Sequence, residues 1–181
     1  MLAVLEYLER DGASPFAKWF ATLDATAAAK ITTAVRRLEL GNFSNVKGVG
    51  TGVFEYRVDF GPGYRVYFGK DGVTMPLTRE FKETVQARIK QDRKYRKELL
   101  REGVESLLAG DLDTGKAILR DYINATIGFE ELSRVTKRPT KSLMRMFGPA
   151  GNPQARNLFE VIGHLQRAEG LQFELSLKAA S

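Results

Sequence analysis

Six basic side chains, Arg134, Lys137, Arg138, Lys141, Arg145 and Arg156, fall between Leu132 and Phe159 with no acidic residue among them. A solvated helical surface usually mixes both signs, so a one-signed stretch points to a polyanionic partner. The segment GFEELSRVTKRPTKSLMRMFGP has the parts of a DNA-reading helix-turn-helix. Gly128 permits a sharp entry, and Phe129, Leu132 and Val135 make one apolar helical face. Thr136-Lys137-Arg138-Pro139 breaks that helix, because proline disfavours helix at the residue before it. Thr140 then caps a second helix, with Leu143 and either Met146 or Phe147 turned inward. The first residues of such a helix meet base edges in the major groove, which makes Lys141, Ser142 and Arg145 candidate base readers. Arg138 and Thr140 are placed for phosphate, and Asn152 or Arg156 adds backbone contacts from the next helix N-terminus. The same pattern also fits a small helical bundle with a basic face.

A second constellation lies in the first half. VFEYRVDFGPGYRVYFG puts Arg57 and Arg65 on adjacent strands with Tyr64 and Tyr67 beside them, and Lys47 precedes the hairpin. Arginines beside aromatics on a sheet can hold an RNA backbone and stack bases. Arginine can also stabilise charge on a scissile phosphate. The plainer reading is two strand arginines paired with Glu55 and Asp59, and spacing alone favours it.

Composition closes off other chemistries. With no cysteine there is no disulfide or thiolate metal site, and the lone His164 rules out a histidine cage, so no metal or cofactor is implied. A Ser-His-Asp hydrolase would rest on His164 alone, and no GxSxG elbow is present. His164, set among Leu158, Val161, Ile162 and Leu165, and Trp19, on an apolar helix face, both read as structural. No apolar run approaches the ~20 residues of a membrane helix. MLAVLEYLERDG carries acidic residues where a secretory signal carries lysines, so the expected setting is cytoplasmic. The formal charge is +6, unevenly spread: residues 1–74 hold nine Lys/Arg against eight Asp/Glu, residues 75–181 nineteen against fourteen. Arg93-Lys94-Tyr95-Arg96-Lys97 is followed by Glu98, Arg101 and Glu102 at helix ion-pair spacing, and reads as a solvated face.

The elements that position these residues change style along the chain. AVLEYLE alternates like a strand. Ser14-Pro15 opens one helix, carrying Phe16, Trp19, Phe20 and Leu23, and Asp24 caps a second with Ala27, Ile31, Val35 and Leu38 that ends at Gly41. After KGVGTG, the runs VFEYRVDF and YRVYFGKDG form an antiparallel hairpin about Gly61-Pro62-Gly63. From Thr78 the grammar is helical, with helices expected at 79–90, 92–109, 114–125, 129–136, 140–147 and 153–167. LQFELSL at 171–177 alternates and predicts a final strand, either a dimer edge or an addition to the first half's sheet. The expected class is α+β, with domains at 1–74 and 75–181.

The run MPLTREFKETVQARIKQDRKYRKELLREGVESLLAGDLDTGKAILRDYINATIGFEELS, continued by KSLMRMFGPAGNPQARNLFEVIGHLQ, closely resembles HigA-like antitoxins of the Xre/Cro class, or addiction module antidote proteins. That resemblance covers essentially all of 75–181. It implies an all-α, lambda-repressor-like helix-turn-helix domain acting as a homodimer, repressing its own operon at operator DNA and neutralising a cognate toxin. Residues 1–72, with FGPGYRVYFG as the telling motif, look like HigB-like killer proteins of the RelE/ParE superfamily. Members that cut messenger RNA use basic and tyrosine side chains on the sheet. Carried over, these are Arg57 and Arg65, with Tyr67 beside them and Lys47 a weaker match; RNA or the ribosome would be the partner. Family members continue past the FGxDG turn into another strand and a lysine- and glutamine-bearing segment, whereas here Lys70-Asp71-Gly72-Val73-Thr74 runs directly into Met75. The resemblance therefore implies an incomplete toxin-like domain with little or no ribonuclease activity. A sheet lacking its last strand exposes an edge, which LQFELSL is a candidate to fill.

Overall fold

A computed structural model describes residues 2–70, 78–174 and 176. The elements run β1 (Leu5–Tyr7), α1 (Pro15–Thr22), α2 (Ala25–Glu39), β2 (Val46–Gly50), β3 (Val53–Val58), β4 (Tyr64–Gly69), β5 (Thr78–Glu80), α3 (Phe81–Gln91), α4 (Arg93–Leu108), α5 (Leu112–Ala125), α6 (Gly128–Thr136), α7 (Thr140–Met146) and α8 (Ala155–Ala168). The fold is α+β. The first helices start where capping chemistry puts them. Ser14 Oγ accepts from Ala17 N at 3.0 Å and Asp24 Oδ1 from Ala27 N at 2.8 Å, each satisfying an orphan first-turn donor.

Strands β2, β3 and β4 form an antiparallel sheet in that order, the β3–β4 hairpin turning where Gly61 and Gly63 take positive φ. KGVG, for which the sequence predicts no element, supplies most of β2, with an irregularity between Gly48 and Gly50. Helix formation was expected from residue 79. Thr78–Glu80 instead zips antiparallel onto β1, Glu6 opposite Arg79, and α3 starts at Phe81. The predicted strand at 171–177 is not found: residues 171–174 and 176 are outside any strand, and 175 and 177 are outside the described residues. Leu171 and Phe173 pack instead against the apolar cluster of the last helices, and Phe173 N donates to Gln166 Oε1 at 3.2 Å. The alternation serves helix packing rather than a ladder.

The boundary expected at 74/75 lies outside the described residues. The apolar clusters nevertheless draw on both sides of it. The first joins Phe20, Ile31, Val35, Tyr56 and Val66 to Phe81, Val85, Ile89, Tyr95, Leu99 and Ile118, so α2 lies between the sheet and helices α3–α5. Polar groups reinforce this contact. Tyr95 Oη meets Thr32 Oγ1 at 2.7 Å, both groups buried, and Lys30 Nζ stands 2.7 Å from Glu102 Oε1. Arg88 donates to the carbonyls of Phe20 and Leu23 that end α1. The second cluster, built on Leu100, Leu119, Tyr122, Leu132, Leu143, Phe147, Val161 and Leu165, carries α6, α7 and α8.

Candidate nucleic-acid interface

Helix α6 buries Phe129 and Leu132, but Val135, expected on the same apolar face, is 40% exposed. Its C-terminus is closed by Lys137 at φ 54, the one positive-φ non-glycine among the described residues. Lys137 N reaches back to Ser133 O, as the left-handed cap does. Arg138 N also donates to Ser133 O, and Ser133 Oγ donates to Arg138 O. The turn Lys137-Arg138-Pro139 is thus tied to the helix before it. Thr140 was expected as the cap of the next helix. Pro139 takes that position, its carbonyl accepting from Ser142 N and Leu143 N, and Thr140 is the first helical residue.

Leu143 and Phe147 are each 1% exposed and root α7 in the core, with Met146 half-buried. Lys141, Ser142, Met144 and Arg145 lie on the exposed side, Lys141 and Arg145 being one helical turn apart. Asn152 and Arg156 are exposed in the following loop and the first turn of α8. The residues predicted to read bases are therefore brought to one free surface.

Two of the six cations in the basic stretch are neutralised by carboxylates just outside it. Arg134 pairs with Glu131 at 2.8 Å. Arg138, half-buried and expected on phosphate, pairs with Glu160 at 2.7 Å, and its guanidinium holds the Glu160 carboxyl below the usual carboxylate range. Among the described residues, Lys137, Lys141, Arg145 and Arg156 have no acidic partner.

Below the surface, α5 grips the end of α7. Lys116, 5% exposed, donates from Nζ to Gly151 O at 2.6 Å and pairs with Asp113 at 2.9 Å. Arg120 Nη1 reaches Met144 O at 3.5 Å. A Cβ on Gly151 would stand 2.4 Å from the carbonyl oxygens of both Arg145 and Met146, so only glycine fits there. Neither Lys116 nor Arg120 stood out in the sequence. The only local signal was a lysine on an otherwise core-facing stretch of helix.

The second constellation also assembles. In register, Lys47 and Tyr67 flank Glu55, and Arg57 faces Arg65, which puts all five on one face. The opposite face, with Tyr56, Val58 and Val66, belongs to the first core cluster. Arg57 Nε donates to Glu55 Oε1 at 2.7 Å, and Arg65 Nε is 3.5 Å from Glu55 Oε2. The Arg57 hydrogen bond, helped by Tyr67, holds the Glu55 carboxyl below its usual range. Glu55 is only 5% exposed, whereas Tyr67 is 59% exposed and Lys47, Arg57 and Arg65 are exposed. The pairing expected with Glu55 is present, yet the guanidiniums remain open to solvent.

His164 is half-buried on α8, and Trp19 packs edge-on to Phe16 at 5.5 Å. Among the described residues, no group of three or more His, Cys, Asp or Glu could hold a metal ion, and no helix is long and apolar enough to cross a membrane.

No protein-family model matches the chain, and no solved structure matches it. An uncharacterized protein of Haemophilus influenzae is 44% identical over 64 residues, which is 34% of this chain and 65% of that protein, short of two thirds of its length.

Proposed function

We propose that this chain is a toxin–antitoxin system protein: a sequence-specific DNA-binding autorepressor of the Xre/Cro helix-turn-helix kind, carrying a toxin-like domain in cis. The supporting observation is α7. Its apolar side is anchored by Leu143 and Phe147, while Lys141, Ser142 and Arg145 stand exposed and free of carboxylates. Fixed backbone with free donors is what base reading needs, since a guanine edge accepts a bidentate arginine only from a well-placed helix. Arg156 and Asn152 then serve the phosphates. Reading a two-fold operator calls for a homodimer.

The test is binding of the full chain to DNA from just upstream of its own gene, against scrambled DNA at several salt concentrations. Specific binding should exceed nonspecific by at least ~10³-fold, and Arg145→Ala should cost about 1–3 kcal/mol of the specific term. Equal, salt-sensitive binding to both DNAs would reduce α7 to a basic surface.

The open face of Lys47, Arg57, Arg65 and Tyr67 supports a second reading, an RNA-cleaving toxin fusion restrained by its antitoxin half. In the proposed assignment that face binds polyanion without cleaving it, because the family's last strand and its polar residues are missing from the matching position. In a third reading the chain neutralises a separate toxin without touching DNA. Lys141→Ala and Arg145→Ala would then leave nucleic-acid binding unchanged.

A further inference from the structure

A helix that reads DNA must be held at a fixed height and pitch: Leu143 and Phe147 seat α7 in the core, and polar contacts from α5 reach its end and the loop that follows. We infer that Lys116 of α5 is the positioning residue of the exposed α7 face, an inference that rests on the DNA-binding reading above.

A lysine ammonium is rarely buried unless its donors are used. Lys116 is 5% exposed, and its Nζ is held between Asp113 and the Gly151 carbonyl. Gly151 N in turn donates to Gly148 O, and Gly148 N to Arg145 O, so one chain of bonds runs from Lys116 into the last turn of α7. The backbone at Gly151 lies so close to Arg145 O and Met146 O that it admits no side chain. A shift of this loop therefore moves the end of α7. The cation also sits near the carbonyl end of α7, where a positive charge is favoured.

The other end of the bracket is rigid. A Cβ on Gly115 would meet Leu107 Cγ at 2.6 Å and Gly103 O at 2.9 Å, so α5 is seated directly on α4. One turn beyond Lys116, Arg120 reaches Met144 O. The i and i+4 cations of α5 thus hold α7 and the loop after it against the part of the molecule that does not touch DNA. The same loop carries Asn152, and α8 begins just beyond it with Arg156. Lys116 therefore sets the spacing between the base-reading side chains and the phosphate contacts that follow them. It touches neither base nor phosphate.

The experiment compares the full chain with Lys116→Met and Asp113→Asn, titrating each against the upstream DNA and scrambled DNA across a salt series. Lys116→Met keeps the stem and removes the donor. It should lose about ten-fold or more of the specific affinity, with scrambled-DNA affinity and salt slope unchanged, because no phosphate contact is removed. Asp113→Asn weakens one of the two contacts that hold Nζ and leaves the bond to Gly151, so it should fall between the parent and Lys116→Met on the upstream DNA and match the parent on scrambled DNA. If Lys116→Met does not fold, Lys116→Leu, which also lacks a donor, takes its place with the same expectation. A folded variant that keeps the parent's ratio of specific to scrambled binding overturns the positioning role alone. A parent chain that does not discriminate between the two DNAs overturns the DNA reading, and the inference with it.

Discussion

Arg138 Nη2 lies 2.7 Å from Glu160 Oε2, joining the turn between α6 and α7 to the middle of α8. The contact bridges 22 positions of sequence and withdraws from the candidate DNA surface the arginine that looked best placed for phosphate. Glu160→Gln should release it. The expected outcome is tighter binding to scrambled DNA, with a salt slope steeper by up to ~1, as for one added phosphate contact. An unchanged slope would mean that Arg138 stays in place without its carboxylate. Because the Glu160 carboxyl is held below its usual range, its stabilising effect is present above the unfolded carboxylate pKa and is lost as pH falls through the folded value.

On the sheet, Arg57 and Arg65 face each other across β3 and β4 over a single nearly buried carboxylate. Arg57→Ala with Arg65→Ala should lower the salt slope for single-stranded RNA by up to ~2 and leave upstream-DNA binding alone. Loss of both activities together would show that the two surfaces are not independent.

Tyr95 joins the halves of the chain through Thr32, whose hydroxyl already donates to Ala28 O at 2.9 Å. Tyr95→Phe removes one buried hydrogen bond and should cost about 1 kcal/mol in urea unfolding. Tyr95→Ala opens a cavity at the centre of the first cluster and should cost about 3–5 kcal/mol. A single transition is expected for the parent, since α2 shares its core with α3, α4 and α5. Two separate transitions would contradict that shared core.

Arg36, Glu39 and Asp121 form a buried cluster between α2 and α5, with Arg36 touching both carboxylates. Burial pushes both carboxyls above their usual range, against the opposing pull of Arg36. The native state therefore holds protons that the unfolded chain releases. This contribution is fully present below the unfolded carboxylate pKa of about 4 and fades as pH rises through the folded values. The urea midpoint of the parent should fall over that window, and Asp121→Asn should flatten the fall. A midpoint that rises equally in both proteins would sink this account. Arg36→Met leaves two buried carboxylates without their cation and should cost about 3–5 kcal/mol.

Much of the local structure was legible in the chain. Ser14 and Asp24 as caps, the Gly61-Pro62-Gly63 turn, the break at Lys137–Pro139 and the outward side of α7 follow from backbone chemistry and helical period, which act within a few residues. What depended on distant partners was not legible. Arg79 and Glu80 read as the start of a helix, yet with Thr78 they pair with β1, some seventy residues away in sequence. LQFE alternates like a strand, yet Leu171 and Phe173 pack on the second apolar cluster, because apolar spacing does not say which surface will receive it.

The same division runs through the candidate sites. Sequence by itself determined which residue types could meet a polyanion, and that Lys141, Ser142 and Arg145 share one helical side. Tertiary structure decided which cations remain free: Glu160 takes Arg138 and Lys116 turns inward to the Gly151 carbonyl, whereas the hold of Glu55 on Arg57 and Arg65 was already favoured by strand spacing. Charge pairing falls off within a few ångströms and takes no account of separation along the chain, so only the folded arrangement could settle it.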